Sequence, residues 1–337
     1  MKCGGSRRSG KGVFPSVLLS ALREQRFGRM LLGVSGGADS LALLYACHAV
    51  RSELGADLFV AHYDHALRPN SSNDMLFVKK VAATLEVPFI SERNQDAPPR
   101  SGSLEAFARE KRQEFFIRTA RALRIDAVVL AHTQDDLIET VLMRILRGTG
   151  LSGLRGILPQ RIIRGVTFIR PMLAVSRRDV EAYLKCLRVS WRNDPTNANT
   201  AFTRNKIRHG LVPYLKKSFG ADGLHQLAAL ADTVGCDYEF LEKEAAAAMM
   251  SVCRMKGGRV HLDLTQWAKR PQALRRMVLR GAVEAVQGDT QALTLSHVKD
   301  MERLAGASFK KGDVALPHGV IVQKSGNILV FFLKSLS

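Results

Sequence analysis

The stretch VSGGADS, residues 34–40, separates two apolar runs, MLLG at 30–33 and LALLY at 41–45. The short run before it predicts a buried strand, and the run after it predicts a helix. Gly36 and Gly37 lack a Cβ atom, so their backbone N–H groups can approach an anion closely, and Ser35 and Ser40 add hydroxyl donors. We therefore predict a phosphate-binding turn. A glycine turn that only reverses the chain is the alternative.

Asp39 is the acidic residue of this turn. A carboxylate beside a phosphate is repulsive unless a cation lies between them, so we interpret Asp39 as a Mg²⁺ ligand, directly or through water. Its other role would be to cap the amino end of the following helix. The two roles are compatible.

The bulk composition limits the class of protein. The chain has 337 residues, a formal net charge of +19 and no apolar run close to the roughly 20 residues that a membrane helix needs. The charge favours a polyanionic partner, most simply nucleic acid, over a merely solvated basic surface. The five scattered cysteines form no C-x-x-C pair, which fits a reducing compartment such as the cytoplasm. The first thirty residues are rich in Arg and Ser and resemble an organelle transit peptide, so import into an organelle is the alternative location.

Strands and helices alternate up to about residue 190, which predicts a doubly wound, mostly parallel, Rossmann-like α/β sheet. Predicted strands lie at 30–34, 58–62, 88–91 and 127–131, and predicted helices at 40–54, 73–85, 103–123, 135–146 and 176–188. We divide the chain into a basic lead-in (1–26), the sheet domain (27–217) and a smaller, mainly helical α+β domain (218–337). That last domain has predicted helices at 223–250, 267–286 and 294–304, a strand at 259–264 and a β-rich end at 314–333.

A second polar cluster follows the predicted strand 127–131. His132 lies at the strand tip, and Asp136 and Glu139 share one face of the next helix. Two carboxylates and an imidazole at the carboxyl edge of a sheet could bind a metal, take a proton or hold an ammonium group. The alternative is that the acids complement the helix dipole and His132 forms a local hydrogen bond.

Two basic strings complete the candidate site. Arg109 and Arg112 lie on one helical face with Glu105, an arrangement that suits phosphate binding or an exposed ladder of ion pairs. The string RNKIR, 204–208, follows a DPTN turn at 194–197 and suits an RNA backbone, a polyphosphate or a solvated helix face. The glycine-rich segment 147–154 between them is a mobile loop or a linker.

With HYDHALR at 62–68 and RPML at 170–173, these ordered motifs resemble the tRNA(Ile)-lysidine synthetases of the PP-loop ATP pyrophosphatase superfamily. The resemblance runs over about residues 31–215. Beyond about residue 220 only the general composition is similar, which implies the form of the family with fewer carboxyl-terminal domains. Thr133 stands where the family often has a second His, and Gln113 where it often has Tyr. No role is carried over to those two positions.

The resemblance implies a ligase that adenylates the wobble cytidine of tRNA(Ile) with a CAU anticodon and then joins free L-lysine to its C2 atom. ATP and Mg²⁺ are the implied cofactors, and a homodimer is compatible with the sequence. The resemblance also implies the residues that bind ATP: Ser35, Gly36, Gly37, Ala38, Asp39, Ser40, Ala61 and His62. Ala61 and His62 would contact adenine through their backbone.

The remaining roles follow the same resemblance. Asp39 would hold Mg²⁺, and Arg109 and Arg112 would offset charge at the α-phosphate. Asp136 and Glu139 would bind or deprotonate the lysine ammonium, and His132 would orient the substrate or shuttle a proton. Contact with tRNA is assigned to Arg204, Asn205, Arg208, Arg275, Arg276 and Arg280, with the triphosphate as the alternative for the first three.

Three other functions share part of this pattern. A tRNA 2-thiocytidine synthetase has the same loop but should carry cysteine pairs. A small-molecule adenylating ligase needs an ammonia source and would not explain the charge of +19. A non-catalytic RNA-binding protein explains the charge but not the phosphate loop facing His132 and Glu139.

Overall fold

The computed structural model describes residues 10–23, 25–66, 71–97, 103–192, 203–290, 292–306 and 311–334. The chain divides into two compact units, Met1–Asp232 and Thr233–Ser337. Each unit has its own sheet and its own hydrophobic core. Within the described ranges, no helix has the length and apolarity that crossing a bilayer requires.

The first unit is built on a six-stranded sheet with the order β3-β2-β1-β4-β6-β5. Its strands are β1 (Arg29–Gly33), β2 (Asp57–Asp64), β3 (Phe89–Arg93), β4 (Ala127–Val129), β5 (Gln160–Ile163) and β6 (Val166–Ile169). All neighbouring strands are parallel except the hairpin of β5 and β6. The chain runs outward from β1 to β3 and then returns to β4 on the other side of β1. The carboxyl ends of β1 and β4 therefore form the switch point where such sheets bind ligands.

Helices cover both faces of this sheet. They are α1 (Gly10–Arg23), α2 (Ala38–Ala49), α3 (Arg51–Leu54), α4 (Ser72–Thr84), α5 (Leu104–Ala122), α6 (Gln134–Arg147), α7 (Leu151–Leu154) and α8 (Arg177–Leu187). Successive residues of β1 point to opposite faces, so Leu32 packs in the core under α1, α2 and α8, and Leu31 packs against α5. The predicted doubly wound, mostly parallel sheet is confirmed.

The amino-terminal segment differs from the expected basic lead-in. Residues 1–9 lie outside the described ranges, but α1 is part of the first core. Phe14, Leu18 and Leu22 are buried, and the ring of Phe14 stacks on that of Tyr183 with 4.6 Å between centroids. These residues recur every four positions, which places them on one helical face. The high Arg and Ser content of the segment masked this period.

The first unit ends in a helical stretch that packs on α6. It consists of α9 (Thr203–Lys206), a π-helix (Ile207–Leu211) and the first part of α10 (Val212–Val252), which is interrupted at Gly220, where φ is 77°. Ile207 and Leu224 share a core with Leu137 and Val141 of α6. The predicted boundary at 217/218 falls within α10, and the units divide at 232/233.

The second unit contains a five-stranded antiparallel sheet with the order β7-β8-β11-β10-β9. Its strands are β7 (Cys253–Lys256), β8 (Arg259–Asp263), β9 (Lys311–Ala315), β10 (Val320–Ser325) and β11 (Ile328–Leu333). Its helices are the end of α10, α11 (Leu264–Ala268), α12 (Gln272–Gln287) and α13 (Leu295–Ala305). The core joins Leu279 of α12 to Phe331 of β11. The unit is thus α+β with a larger sheet than the mainly helical domain expected.

Candidate active site

The loop 34–40 joins β1 to α2, and its own serines fix its shape. The Ser40 hydroxyl donates to the Gly37 carbonyl at 2.9 Å and accepts from the Ser35 backbone N–H at 3.2 Å. Gly36 has a φ of +90°, and a Cβ atom there would lie 3.3 Å from a methyl group of Val78. Glycine at position 36 therefore serves both the backbone conformation and the close packing.

His62 ties the end of β2 to this loop. Its Nδ1 donates to the Val34 carbonyl at 2.8 Å, and the Val34 N–H donates to the Ala61 carbonyl at 2.9 Å. The His62 ring is 4% exposed, and this burial lowers its pKa. The Val34 carbonyl opposes this shift, and the bond that Nδ1 donates to it holds the loop against β2, so His62 positions the loop. The adenine contact expected at Ala61 and His62 stays a prediction.

Asp39, at the start of α2, is held by Arg177 at the start of α8. An Nη atom of Arg177 hydrogen-bonds to Asp39 Oδ2, whereas Asp39 Oδ1 is buried and has no partner among the described residues. Burial raises the pKa of Asp39 to about 6, with a further contribution from Asp136, although Arg177 opposes the shift. An orphaned carboxylate oxygen beside the phosphate loop is a position where a cation would be stabilised.

The acid pair of α6 is neutralised by two arginines. Glu139 is 3% exposed and accepts from Arg204 Nε at 2.9 Å, Arg208 Nε at 2.6 Å and Arg208 Nη2 at 2.9 Å. Asp136 Oδ1 accepts from Arg204 Nη2 at 2.8 Å. Burial alone would raise the pKa of Asp136, but Arg204 and the Thr133 N–H lower it. Both pairings were absent from the sequence-based expectation, which assigned Arg204 and Arg208 to RNA or triphosphate.

Asp136 also completes the amino end of α6. Its Oδ2 accepts from the Thr133 backbone N–H at 2.9 Å, and the Thr133 hydroxyl accepts from the Asp136 N–H at 3.5 Å. These reciprocal bonds form a capping box. The local capping role and the ionic role of Asp136 are therefore both present, and Thr133 serves as the cap residue.

His132 precedes this cap at the carboxyl end of β4. Its Nδ1 atom is buried and has no hydrogen-bond partner in the described part of the chain. Burial, together with the charges of Arg170 and Arg112 and against that of Asp136, lowers the pKa of His132 to about 3. The imidazole is therefore neutral near pH 7, which favours orientation of a substrate over proton transfer.

The arginines of α5 face the same region. Burial and the nearby charges of Arg109 and Arg204 lower the pKa of Arg112 to about 10. Neither Arg109 nor Arg112 forms an ion pair in the described ranges, so the proposed ladder with Glu105 is not present there. Sequence reasoning gave no role to Arg170 or Arg177, which the fold brings to this edge from β6 and α8.

Other predicted contacts lie elsewhere or outside the described ranges. Asn205 is 9% exposed, so its side chain offers little surface to RNA. In the second unit Arg276 pairs with Glu302 at 3.1 Å, Arg280 donates to a backbone carbonyl at 3.4 Å, and Arg275 lies 5.2 Å from the ring centroid of Trp267 beside a cavity of about 590 Å³. The turn at 194–197 and residues 67–68 lie outside the described residues.

Comparisons with known proteins agree with this geometry. A family model described as PP-loop domain matches residues 14–215. The chain is 30% identical to a tRNA(Ile)-lysidine synthase of Clostridioides difficile (strain 630) over 94% of this chain and 70% of that protein. It is 36% identical to a tRNA(Ile)-lysidine synthase of Geobacter sulfurreducens over 90% of this chain and 64% of that protein. The chain thus spans about two thirds of the length of these curated relatives.

A solved structure supports the fold alone. The U34-tRNA thiolase NcsA from Methanococcus maripaludis superposes with a TM-score of 0.58 at 15% identity, over 66% of this chain and 77% of that one. The family model covers more than half of the chain, and the curated relatives align along nearly all of it. The matched region contains the phosphate loop, the acid pair and the six-stranded sheet. On that combined evidence the chain is a member of the tRNA(Ile)-lysidine synthase family of PP-loop proteins.

Proposed function

We propose that this chain joins free L-lysine to C2 of the wobble cytidine of tRNA(Ile) with a CAU anticodon, using ATP and releasing AMP and pyrophosphate. The observation that carries the proposal is an acid pair at the same sheet edge as the phosphate loop 34–40, in which Glu139 is buried and the Asp136 side chain is 16% exposed. A ligase for lysine needs an ammonium site next to a nucleotide site. The names of the relatives supply the substrates.

The phosphate loop would bind the triphosphate of ATP. Its glycines permit close approach of backbone N–H groups, and the amino end of α2 adds a favourable dipole. Asp39 fits a Mg²⁺ ion because its Oδ1 atom is buried without a partner in the described structure. Mg²⁺ usually takes one or two carboxylates and completes its shell with phosphates and water. When bound there, it would screen the charge of the triphosphate.

The acid pair would bind the lysine ε-ammonium. The guanidinium groups of Arg204 and Arg208 pair with the carboxylates of Asp136 and Glu139. A guanidinium and an ammonium are both cationic donors, so the same oxygens suit either group. The lowered pKa of Asp136 keeps it ionised, which supports binding of the ammonium over removal of its proton.

Two arginines would serve the adenylation step. Arg109 and Arg112 carry no ion pair in the described ranges, so their charge is available to offset that developing at the α-phosphate. His132, neutral near pH 7, would orient the cytidine by a hydrogen bond from its unpartnered Nδ1 atom. Its low pKa argues against a role as proton shuttle.

The second unit would contact the tRNA. Its arginines 275, 276 and 280 lie on α12 and contribute to a chain charge of +19. A polyanionic RNA is the partner that such a charge attracts. A homodimer and a cytoplasmic location remain part of the proposal.

The test is mass spectrometry of tRNA(Ile) with a CAU anticodon after incubation with the chain, ATP and isotope-labelled lysine. We expect labelled lysidine at the wobble cytidine, and none in elongator methionine tRNA, which shares the anticodon. Glu139→Gln should lose the product, whereas Arg51→Met, an exposed change at the opposite sheet edge, should keep it. Pyrophosphate release without any transfer of label to RNA would contradict the proposal.

A further inference from the structure

Arg170 is a buried cation without a carboxylate partner. It follows β6 directly and is 8% exposed. Its Nη1 donates to the Leu158 carbonyl at 2.9 Å, but its Nε atom is buried and has no hydrogen-bond partner among the described residues. No ion pair of Arg170 occurs in those ranges either. The guanidinium is thus only partly satisfied.

The register of the sheet places Arg170 beside the candidate active site. Ile169 of β6 pairs with Val129 of β4, and the Leu130 N–H donates to the Ile169 carbonyl at 2.8 Å. Arg170 therefore leaves the sheet at the same edge as His132, two residues beyond Leu130. At this edge His132 Nδ1 and Asp39 Oδ1 are likewise buried and have no partner among the described residues.

Arginines outnumber acids around these two residues: of the charged groups that act on His132, three are arginines and one is Asp136. Arg170 and Arg112 both act on the His132 ring and lower its pKa, and Arg109 acts in the same direction on His132 and on Arg170. Burial and the charge of Arg109 together lower the pKa of Arg170 to about 10. The acids Asp136 and Glu139 offset only part of this positive charge, because Arg204 and Arg208 already bridge them.

A buried cation that lacks an anion is strongly unfavourable, and like-charged neighbours add to that cost. Proteins keep such an arrangement where a ligand supplies the missing charge. A planar guanidinium with a free Nε–H is suited to a phosphate oxygen, and a neutral imidazole can donate a further hydrogen bond.

We propose that Arg170, with Arg112, forms a binding site for one phosphate ester group of the substrates, next to the His132 ring that orients the cytidine. The inference rests on the proposed function for the identity of those substrates. The same anionic phosphoryl group occurs in the α-phosphate of ATP and in the RNA backbone next to the target cytidine. Arg170 is the buried, fixed member of the site, and Arg112 is the member on α5.

The test compares Arg170→Met with Arg51→Met, which removes the same charge from an exposed position at the far edge of the sheet. Two probes are titrated against the full chain: a nonhydrolysable ATP analogue without RNA, and an anticodon stem-loop RNA without nucleotide. We expect Arg170→Met to weaken one of them about 10- to 100-fold, as the loss of a charged hydrogen bond would do. A loss for the analogue alone assigns the α-phosphate, and a loss for the RNA alone assigns the backbone. Unchanged affinity for both overturns the inference.

Stability measurements separate this role from a structural one. If Arg170 only supported the fold, Arg170→Met would lower the unfolding temperature; if it serves a ligand, removal of an unpaired buried charge should leave that temperature unchanged or raise it. Arg170→Lys is the second variant: it keeps the charge but loses the planar fork, and it should also bind the affected probe more weakly. These titrations need no lysidine formation. If Arg170→Met weakens one probe but the unmodified chain never ligates lysine, the proposed function is refuted and this site is left in place.

Discussion

Replacement of Glu139 by Gln tests the centre of the acid pair. The Glu139 carboxylate accepts three hydrogen bonds from Arg204 and Arg208, between 2.6 and 2.9 Å, and its side chain is 4% exposed. Gln keeps the shape but loses the negative charge, and its NH₂ group would face a guanidinium donor. The two arginines would then share the single carboxylate of Asp136.

The magnitude follows from the burial of Glu139. Breaking a buried ion pair by neutralising one partner costs about 3–5 kcal/mol. The side chains of Arg204 and Arg208 are 24% and 35% exposed and keep Asp136 as a partner, so we expect the lower end of that range. An exposed pair is worth less than about 1 kcal/mol. The chain offers such a pair as a matched control: Glu181 accepts from Arg177 Nε at 3.2 Å, and its side chain is 37% exposed. Glu181→Gln should cost about 0.3–0.5 kcal/mol.

The assay is urea unfolding followed by tryptophan fluorescence in a Trp267→Phe background. The chain has two tryptophans, and Trp191, which packs against the first core, then reports on the first unit. We expect the midpoint for Glu139→Gln to fall by several times the shift for Glu181→Gln. Equal, small shifts for both variants would refute the idea that the arginines and acids form a tightly coupled buried cluster.

Four further expectations can be measured. Burial raises the pKa of Asp39 from 3.8 to about 6, so its ionised form destabilises the fold at pH 7. Asp39→Asn should therefore raise the free energy of unfolding at pH 7 by up to about 3 kcal/mol, and this gain should disappear below pH 4, where the carboxyl is protonated. The same variant should lose ATP/pyrophosphate exchange. Gly36→Ala, at a φ of +90°, should cost about 1–2 kcal/mol and weaken binding of an ATP analogue, as titration would show. Because the pKa of His132 falls from 6.5 to about 3 on folding, stability should decrease as pH drops through that range, and His132→Gln should flatten the profile in urea unfolding. Replacing Arg275 and Arg280 by Gln should reduce the slope of log tRNA affinity against log salt concentration by roughly 0.7–0.9 per lost phosphate contact; an unchanged slope would remove them from the RNA surface.

Local sequence patterns were sufficient to predict which segments meet at the carboxyl edge of the sheet. The apolar runs around residues 34–40 and before His132 marked strands, and parallel strands bring their carboxyl ends to one edge. The placement of Asp136 and Glu139 on one helical face needed only the helical period. These features depend on residues within a few positions of each other, which is the range over which a sequence pattern is informative.

The partners of those acids depend on contacts between distant segments. Arg177 lies 138 residues from Asp39, and Arg208 lies 69 residues from Glu139. A basic residue in a helix predicts nothing about which carboxylate it will meet, so Arg204 and Arg208 were assigned by composition to RNA or phosphate. Arg170 could not be singled out from the sequence at all. It matters because its side chain is buried and its Nε atom has no partner in the described structure, and a sequence pattern reveals neither property.

The charge balance of the acid pair constrains how substrates can enter the proposed reaction. Two carboxylates, Asp136 and Glu139, face two guanidiniums, so the cluster is neutral before lysine arrives. An ε-ammonium added to it leaves one positive charge in excess inside a poorly solvated site, which is unfavourable unless an arginine moves to another anion. The phosphates of ATP and RNA are the anions that the proposed substrates bring to this edge. Binding of phosphate and binding of lysine are therefore expected to favour each other, because the arginine that lysine displaces is the one that phosphate can hold.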